Sequence, residues 1–352
     1  MLQTGLQAFF HAWERRLVAA TTDRIVRPFE WGLDWIPANG HQADAAAADR
    51  LREWVSGVMA DTDTFFTPAP THAYHLADDG RLTFPSAFET PHPENNIVSC
   101  RFFPARRAAG SVSSPSNRGP AVLVLPQWNA DAGGHVGLCR LLAWSGLNAL
   151  RLSLPYHDER MPPELHRADY IVSSNIARTV QVCRQAVLDA RRAIHWLAGE
   201  GYGPIGILGT SLGSCLALLT SAHEPLIRAE ALNHISPQFA DVVWRGLSTA
   251  HVRAGLDGHI ELDLLRTLWK PISPQWYLER LRDKKTLLVY ARYDLTFPRD
   301  LSEDLVREFQ ARGIPHEVAV LRCGHYSTGK TPFKYVDGWI LTRFLKKHLA
   351  AG

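Results

Sequence analysis

The segment 209–213 has the residue types and spacing of a serine nucleophile. It reads Gly-Thr-Ser-Leu-Gly and lies between an apolar run at 204–208 and a helical run at 214–219. A G-x-S-x-G pattern between a strand and a helix is typical of the sharp turn that exposes a reactive hydroxyl. Glycines are needed there because a Cβ would strike the neighbouring strand or helix. We therefore expect Ser211 at the start of a helix, where backbone N–H groups favour negative charge. The alternative is a Gly/Ser turn that matches by chance.

A base and an orienting acid follow in the order that such a site needs. A serine hydroxyl reacts only when a base removes its proton, and a third group must orient that base. Asp294 follows the predicted strand 286–290, and His325 follows the predicted strand 316–321. We expect His325 to take the proton from Ser211 and return it to the leaving group, while Asp294 accepts a hydrogen bond from the imidazole.

Each of these assignments has an alternative. Asp294 by itself could be a turn or helix-entry aspartate, and His325 by itself could be a solvated loop residue. Asp300 is a rival acid that could merely lie in the first turn of the next helix, and Asp241 is a rival at a different topological position. An acid and a histidine that each come just after the correct strand favour the catalytic interpretation.

Two backbone N–H groups are expected to stabilise the negative oxygen of the reaction intermediate. One is that of Leu212, directly after the nucleophile. The other should come from the loop 126–130, which follows the predicted strand 121–125. Within this loop the N–H of Trp128 is the first candidate and Gln127 is the next. The Trp128 ring could also be an aromatic plug in the pocket wall.

A charged run at 157–160 follows another predicted core strand and gives candidate substrate contacts. Arg160 could recognise a substrate carboxylate, and His157 could be a second acid–base group. Gln127 is a further candidate for contact with substrate. The alternative for the charged run is a structural cluster of ion pairs that braces the loop.

Composition limits the class of protein. The chain has 352 residues, 46% of them hydrophobic and 21% charged, which is ordinary for a globular protein of one large α/β domain or two domains. The net charge of +3 predicts no nucleic-acid partner. The five scattered cysteines, without C-x-x-C, predict neither disulfides nor a zinc site, and they favour a reducing, cytoplasmic compartment. The sixteen histidines show no metal-ligand spacing.

The N-terminal part is predicted to be helical. Apolar residues recur there at steps of three and four, which predicts a helical extension over residues 1–70. A second helix is expected over 44–59, with Asp44 as its N-cap. Packing of the extension on the main domain is the first interpretation. Its bulky Phe9, Phe10 and Trp13 leave an interfacial membrane helix or a dimer helix as the alternative.

Neither a leader nor a membrane span is predicted. The first 20 residues have no basic segment before their apolar part and no small-residue cleavage site after it. No uninterrupted apolar run reaches membrane-spanning length.

Strands and helices alternate after a predicted hairpin at 71–84. Strands are predicted at 97–103, 121–125, 148–154, 204–208, 229–232, 286–290 and 316–321, and helices at 134–144, 175–198, 214–219, 299–312 and from Thr331 onward. Such alternation indicates a mostly parallel sheet with helices on both faces and ligands at the carboxyl ends of its strands. The segment 236–283 interrupts the alternation and is interpreted as a cap. Residues 105–120 are predicted to form a surface loop.

The chain resembles the α/β-hydrolase superfamily over residues 95–350. The resemblance lies in the segment 209–213, in Asp294 followed by Pro298, and in the dipeptide Gly324-His325. A further segment, Pro-Tyr-His-Asp-Glu-Arg-Met-Pro from position 155, is similar to a stretch in poorly characterised α/β-hydrolase-domain proteins. The chain departs from many esterases in carrying Pro-Gln at 126–127 where they carry His-Gly.

The chain is therefore interpreted as a helical extension over 1–70 and an α/β-hydrolase domain over 71–352, with a cap inserted at 236–283. The resemblance covers the second of these. It implies that Ser211 cleaves the carboxylic ester of a small or medium apolar molecule through an acyl-enzyme, without metal or cofactor. An acyltransferase, a thioesterase or a peptidase with the same triad remains an alternative. So does a non-catalytic binding protein on a hydrolase scaffold, and the oligomeric state is left open.

Overall fold

The computed structural model describes residues 2–37, 46–106 and 118–350. The predicted N-cap Asp44 and most of the predicted loop 105–120 lie outside these residues. Among the described helices, none is both long enough and apolar enough to cross a membrane.

A nine-stranded sheet organises the described part of the chain. Its strands are β1 His75–Leu76, β2 Arg81–Pro85, β3 Ile97–Phe103, β4 Ala121–Leu125, β5 Asn148–Leu152, β6 Ile205–Thr210, β7 Ile227–Asn233, β8 Lys285–Ala291 and β9 His316–Leu321. Their order across the sheet is β1-β2-β3-β5-β4-β6-β7-β8-β9. The six strands β4 to β9 run parallel to one another. Strands β1 to β3 are antiparallel and extend the sheet beyond β5. The predicted mostly parallel α/β fold is confirmed.

Helices cover both faces of the sheet. They are α1 Leu2–Ala19, α2 Ala47–Ala60, α3 Thr62–Phe66, α4 Val136–Trp144, α5 Ile176–Gly199, α6 Leu212–His223, α7 Phe239–Arg245, α8 Ala250–Leu256, α9 Leu262–Leu268, α10 Arg299–Ala311 and α11 Phe333–Leu349. Strand β4 shows how the two faces divide. Leu123 packs in the apolar cluster that contains α5 and α6, whereas Val122 and Val124 pack in the cluster that contains α1, α4 and α11. All of β4 is buried, as expected for a central parallel strand.

The register of the parallel strands brings the functional loops together. Leu125 at the end of β4 pairs with Gly209 in β6, and Thr210 at the end of β6 pairs with Asn233 at the end of β7. The loops that leave β4, β6, β7 and β8 therefore start side by side at one edge of the sheet.

The N-terminal segment is helical only in part. Residues 21–37 run mainly as extended chain with one short turn, so the prediction of helix throughout 1–70 is wrong here. Pro28 cannot continue a helix, and Gly32 has a left-handed φ of 70°. The backbone of Glu30 instead exchanges hydrogen bonds of 3.1 and 3.0 Å with residues just before and at the start of α5.

The segment between β7 and β8 contains α7, α8, α9 and several single turns. Its Trp269 is fully buried, and the indole N–H donates to the carbonyl of Ile176 at 3.1 Å. The segment thus packs on α5, and its role as a cap remains a prediction. The last helix begins at Phe333, with Pro332 in the cap position that was predicted for Thr331.

Candidate active site

The turn between β6 and α6 holds Ser211 in a strained conformation. Its φ is 57° and its ψ is −121°, and its N–H donates to the carbonyl of Asn233 at 2.8 Å. A Cβ at Gly209 would overlap the carbonyl of Gly213, and a Cβ at Gly213 would overlap that of Leu125. Both glycines are therefore required by close backbone approach, and the hydroxyl stands at the N-terminus of α6.

Ser211, His325 and Asp294 form a continuous chain of hydrogen bonds. His325 Nε2 lies 3.1 Å from Ser211 Oγ, and His325 Nδ1 lies 2.9 Å from Asp294 Oδ2. Because Nδ1 faces a carboxylate, it carries the imidazole proton, which leaves Nε2 to accept the serine proton. Three side chains from distant parts of the sequence thus have the geometry needed for nucleophile, base and acid.

The charges at the site favour a strong base. Burial alone would lower the pKa of His325, but the charge of Asp294, the hydrogen bond to it and the charge of Glu14 outweigh burial, and the net pKa is raised. Burial likewise acts to raise the pKa of Asp294, yet the two neighbouring histidines lower it well below the ordinary value. Asp294 therefore stays ionised in the pH range in which His325 titrates.

Asp294 is fixed at both of its oxygens. Oδ1 accepts the backbone N–H groups of Thr296 and Phe297 at 2.8 and 2.7 Å. The Phe297 ring lies parallel to the His325 imidazole, with centroids 5.4 Å apart and an interplanar angle of 1°. The loop after β8 therefore positions the acid and also provides a flat wall for the base.

His234 is a site residue that the sequence reasoning missed. Its Nδ1 lies 2.9 Å from Asp294 Oδ2, and its ring centroid lies 4.5 Å from that of His325. It is buried and has a φ of 58°. Burial, together with the charge of His325, lowers the pKa of His234 despite the attraction of Asp294, so the ring is neutral and Nδ1–H donates. Its position directly after β7, beside the nucleophile strand, was the available signal.

His234, Asp294 and His325 also form the one cluster of potential metal ligands found in the described ranges, with atoms within 4.8 Å of one another. Both Nδ1 atoms are engaged with the same carboxylate oxygen. The three side chains thus fit a hydrogen-bonded group. A cation placed between them would break the hydrogen bonds from both histidines to Asp294.

Glu14 on α1 is a second residue that was missed. Its carboxylate accepts the backbone N–H groups of Tyr326 and Ser327 at 2.8 and 2.9 Å. A Cβ at Gly324 would overlap this carboxylate, so the loop that bears His325 packs closely against Glu14. Positions 14 and 326 are 312 apart, and no local pattern could have indicated the contact. The N-terminal helix therefore supports the site directly.

The candidate oxyanion donors have free N–H groups. Within the described residues, no acceptor is found for the backbone N–H of Leu212, Trp128 or Gln127. The indole N–H of Trp128 donates to the carbonyl of Ala168 at 2.8 Å. The Trp128 ring is thus held in the pocket wall while its backbone N–H remains available, as expected if both interpretations apply together.

His157 is not placed to contact a substrate. It is 1% exposed, its Nδ1 bonds to the carbonyl of Pro155 at 2.9 Å, and its Nε2 accepts the N–H of Asn129 at 2.9 Å. Burial lowers its pKa to about 4, so the ring is neutral. The structure corrects the substrate-binding interpretation: His157 holds the loop that carries Trp128.

Arg160 is corrected in the same way. Its guanidinium is fully buried and donates to Asp189 Oδ2 at 2.8 Å and to the carbonyls of Asn95 and Ser153 at 2.8 and 3.0 Å. Because the side chain is fully buried and engaged with these acceptors, it is not accessible to a substrate carboxylate, and the alternative of a bracing ion pair fits the structure.

The two rival acids lie elsewhere. Asp300 is exposed and pairs with Arg245 at 2.8 Å. Asp241 pairs with Arg266 at 2.6 Å. Neither is bonded to His325.

Two cavities meet at Ser211. An open cavity of about 1460 Å³ includes Ser211, His325, Gln127 and Trp128 in its lining. A narrow pocket of about 50 Å³ lies on the other side of Ser211, beneath α7, and its lining is mainly apolar. The Ser211 hydroxyl therefore lies where a wide cavity and a small apolar recess meet.

Comparison with known proteins agrees with the fold. The family model "Alpha/beta hydrolase domain containing 18" matches residues 138–264, a little over a third of the chain, which includes Ser211. An acetyl xylan esterase from Paenibacillus sp. R4 aligns with a TM-score of 0.60 at 14% identity, over 90% of this chain and 98% of that one. A Pyrococcus furiosus esterase aligns with a TM-score of 0.52 at 15% identity, over 80% and 97%.

A peptidase is also similar in fold. Pyrococcus horikoshii acylaminoacyl peptidase aligns with a TM-score of 0.59 at 13% identity, over 80% of this chain. The alignment covers 42% of that peptidase, so the present chain spans less than half of its length. Together with the sheet order and the turn at Ser211, these matches show that the chain has the α/β-hydrolase fold.

Proposed function

We propose that the protein is a serine hydrolase that cleaves carboxylic esters of small or medium apolar acyl groups. The observation that carries the proposal is the unbroken path from Ser211 Oγ to His325 Nε2 at 3.1 Å and from His325 Nδ1 to Asp294 Oδ2 at 2.9 Å. The three side chains are already within hydrogen-bond distance, so no loop has to move to bring them into contact.

In the proposed reaction, Ser211 Oγ attacks the ester carbonyl while His325 Nε2 takes the hydroxyl proton. The carbonyl oxygen becomes negative and accepts the N–H groups of Leu212 and of Trp128 or Gln127. His325 then donates its proton to the alcohol oxygen as the C–O bond breaks. In the second half of the reaction, His325 Nε2 takes a proton from a water molecule as its oxygen attacks the acyl carbon. His325 then returns this proton to Ser211 Oγ as the bond between Oγ and the acyl carbon breaks and the carboxylic acid leaves.

The two cavities suggest how the ester lies. The narrow recess beneath α7 suits a short acyl chain, because Phe239, Val242 and Phe297 leave about 50 Å³ for it. The alcohol part would then occupy the wide entrance. This orientation favours esters with a small acid component and allows a bulky alcohol.

The comparisons support a hydrolase and do not choose its substrate. Two of the proteins with a similar fold are esterases and one is a peptidase.

The test is hydrolysis of p-nitrophenyl esters of increasing acyl length, together with labelling by a fluorophosphonate. We expect turnover of the shorter esters and labelling of the wild-type protein, and loss of both in Ser211→Ala. The matched control is Ser56→Ala, which removes an exposed hydroxyl on α2 and should change neither.

The alternatives predict different results. Labelling at Ser211 without turnover of any ester would favour an acyltransferase or a peptidase. Preference for thioesters over the matched oxygen esters would indicate a thioesterase. A folded protein that neither reacts with the probe nor hydrolyses an ester would contradict the proposal and favour a binding protein.

A further inference from the structure

Helices α4 and α11 form one outer surface beside the wide cavity. They pack side by side on the same face of the sheet and meet at Gly338, where an added Cβ would lie 3.2 Å from Leu141 Cδ2. The two helices are therefore in close contact at this point. We call this surface, which includes residues 138–144 and 334–346, the α4–α11 face.

Large aromatic side chains protrude from the α4–α11 face. Trp144 is 67% exposed, Tyr335 is 65% exposed and Trp339 is 57% exposed, with Val336 at 48% beside them. Scattered exposed apolar residues are common, but a group of this kind on two adjoining helices marks an interaction site. Tryptophan and tyrosine are also the side chains enriched where a protein meets the headgroup level of a bilayer.

The apolar surface continues onto α1. Phe10 packs on Phe333 at the start of α11, with ring centroids 5.9 Å apart. The neighbouring Phe9 and Leu6 on α1 remain exposed. The bulky N-terminal residues therefore extend the α4–α11 face in the direction of the first helix.

The same face carries unpaired positive charge. Five exposed cations line the entrance to the cavity that contains Ser211: Arg106, Arg140, Lys334, Arg343 and Lys346. Among the residues that the structure describes, none of these five has a carboxylate within salt-bridge distance. Elsewhere on the surface Arg245 pairs with Asp300 and Arg299 with Glu303.

The carboxylates of the cavity do not cancel this charge. Asp23 is paired with Arg167 at 2.8 Å. Asp337 is half-buried and bonded to Asn233, and burial raises its pKa to about 7. The entrance therefore presents a positive field to solvent.

Cations and rings are interleaved on this surface. The Arg343 guanidinium lies 5.0 Å from the centre of the Trp339 ring, and Lys334 Nζ lies 5.0 Å from the centre of the Tyr335 ring. A partner that satisfies both kinds of group must offer anions beside apolar matter. An anionic lipid surface does so, since its headgroups face the cations and its acyl region receives the rings.

We propose that the α4–α11 face docks on bilayers that contain anionic phospholipid, so that the entrance to Ser211 faces the lipid surface. Single-stranded nucleic acid would also meet cations and rings, but it gains nothing from Val336 or from the exposed Phe9 and Leu6. The exposed aliphatic side chains therefore favour a lipid bilayer over single-stranded nucleic acid as the partner. Docking does not require catalysis, so the proposal stands or falls separately from the esterase function.

The test is flotation of the full chain with vesicles. The Ser211→Ala protein is used so that no lipid is hydrolysed. Vesicles of phosphatidylcholine alone are compared with vesicles in which phosphatidylglycerol makes up about a third of the lipid. We expect binding to the anionic vesicles only, with binding weakened as salt is added because charges at a surface are screened.

Variants separate the two contributions. Trp144→Ala with Trp339→Ala should weaken binding at every salt concentration. Arg343→Ala with Lys346→Ala should weaken it about fivefold for each cation removed and should flatten the salt dependence. Thermal unfolding of each variant, measured without vesicles, verifies that it is folded.

The matched control lies on the opposite face of the sheet. Lys270 Nζ lies 3.9 Å from the centre of the half-exposed Trp276 ring, and this pair packs next to α6. Lys270→Ala with Trp276→Ala removes one cation and one ring and should leave vesicle binding unchanged.

Several results would overturn the proposal. Equal binding to both kinds of vesicle, or to neither, would exclude anionic docking. An equal loss in the control pair would show that the effect is not specific to this face. Tighter binding of a single-stranded oligonucleotide through the same residues, or a dimer in light scattering that the same substitutions abolish, would assign the face to another partner.

Discussion

His234 and His325 approach the same oxygen of Asp294, each through Nδ1 and each at 2.9 Å. The catalytic candidate therefore shares its acid with a buried, neutral histidine. The Nδ1–H group of His234 donates a hydrogen bond to the Asp294 carboxylate and stabilises its negative charge. This hydrogen bond also limits how strongly Asp294 attracts the proton on His325. Its effect on the reaction would be exerted through Asp294, as a positioning residue.

Removing the His234 side chain should alter the pH profile as well as the rate. In His234→Ala, we expect kcat to fall about tenfold, the lower end for one hydrogen bond to a charged group. Asp294 then becomes a better acceptor for His325, so the acidic limb of kcat/KM should move to higher pH. The measurement is kcat/KM across pH.

His234→Asn is the matched control. Its amide N–H can occupy the position of Nδ1, and asparagine tolerates the positive φ at this position. It should recover most of the rate and the original pH midpoint. Identical behaviour of the alanine and wild-type proteins would contradict the positioning role.

The pH dependence of the wild-type protein should reflect the raised pKa of His325. The base must be neutral to take a proton, so activity falls as the pH drops through this pKa, with a midpoint above the ordinary value of about 6.5. Asp294→Asn should reduce kcat about 10⁴-fold and move the midpoint to lower pH, because the charge that raises the pKa is lost. Asp300→Asn, a change to an exposed acid, should alter neither, and a similar loss there would count against the assignment.

The contact from Glu14 should matter for both stability and activity. Glu14→Ala leaves the N–H groups of Tyr326 and Ser327 without an acceptor, at a cost of about 1–3 kcal/mol for each buried group. We expect a lower Tm and a lower kcat. Glu14→Gln, which keeps one acceptor, should be intermediate, and Arg16→Ala on the same helix should be close to wild type. An active, fully stable Glu14→Ala protein would contradict the supporting role of α1.

The narrow recess should set acyl length. Val242 lines it, and Val242→Ala would remove two methyl groups and widen it. We expect the optimum among p-nitrophenyl esters to move toward longer acyl chains, by a few methylene groups at about 0.8 kcal/mol each. Val318→Ala, on the exposed side of β9, is the control. An unchanged profile in Val242→Ala would mean that the acyl group lies elsewhere.

The sheet was predictable because its signal is local. The apolar runs at β3, β4 and β9 have the boundaries expected from sequence, and α5 is preceded by Asn175, whose side chain accepts the N–H of Arg178. Where an apolar run is bounded by turn residues, its burial and its strand propensity indicate the same element, and little tertiary information is needed to predict where the strand begins and ends. The extended segment 21–37 was not predicted, since its conformation depends on pairing with the distant segment before α5.

The candidate site was predictable to the extent that it follows from strand order. Ser211, Asp294 and His325 each follow a strand, so topology alone brings them near one another. His234 also follows a strand, but a lone histidine carries no motif that marks it. Glu14 lies outside any strand–loop pattern, and the roles of His157 and Arg160 depend on which of their atoms are buried and bonded.

The contact between Glu14 and the loop after β9 has a consequence for biosynthesis. A ribosome-bound chain that has folded everything up to β8 still lacks His325, and the loop that bears this residue donates two backbone hydrogen bonds to Glu14 on α1, which is synthesised before the sheet. We therefore expect a chain that ends before β9 to lack the arrangement of Ser211, His325 and Asp294, which is completed only when α1 and the loop after β9 come together.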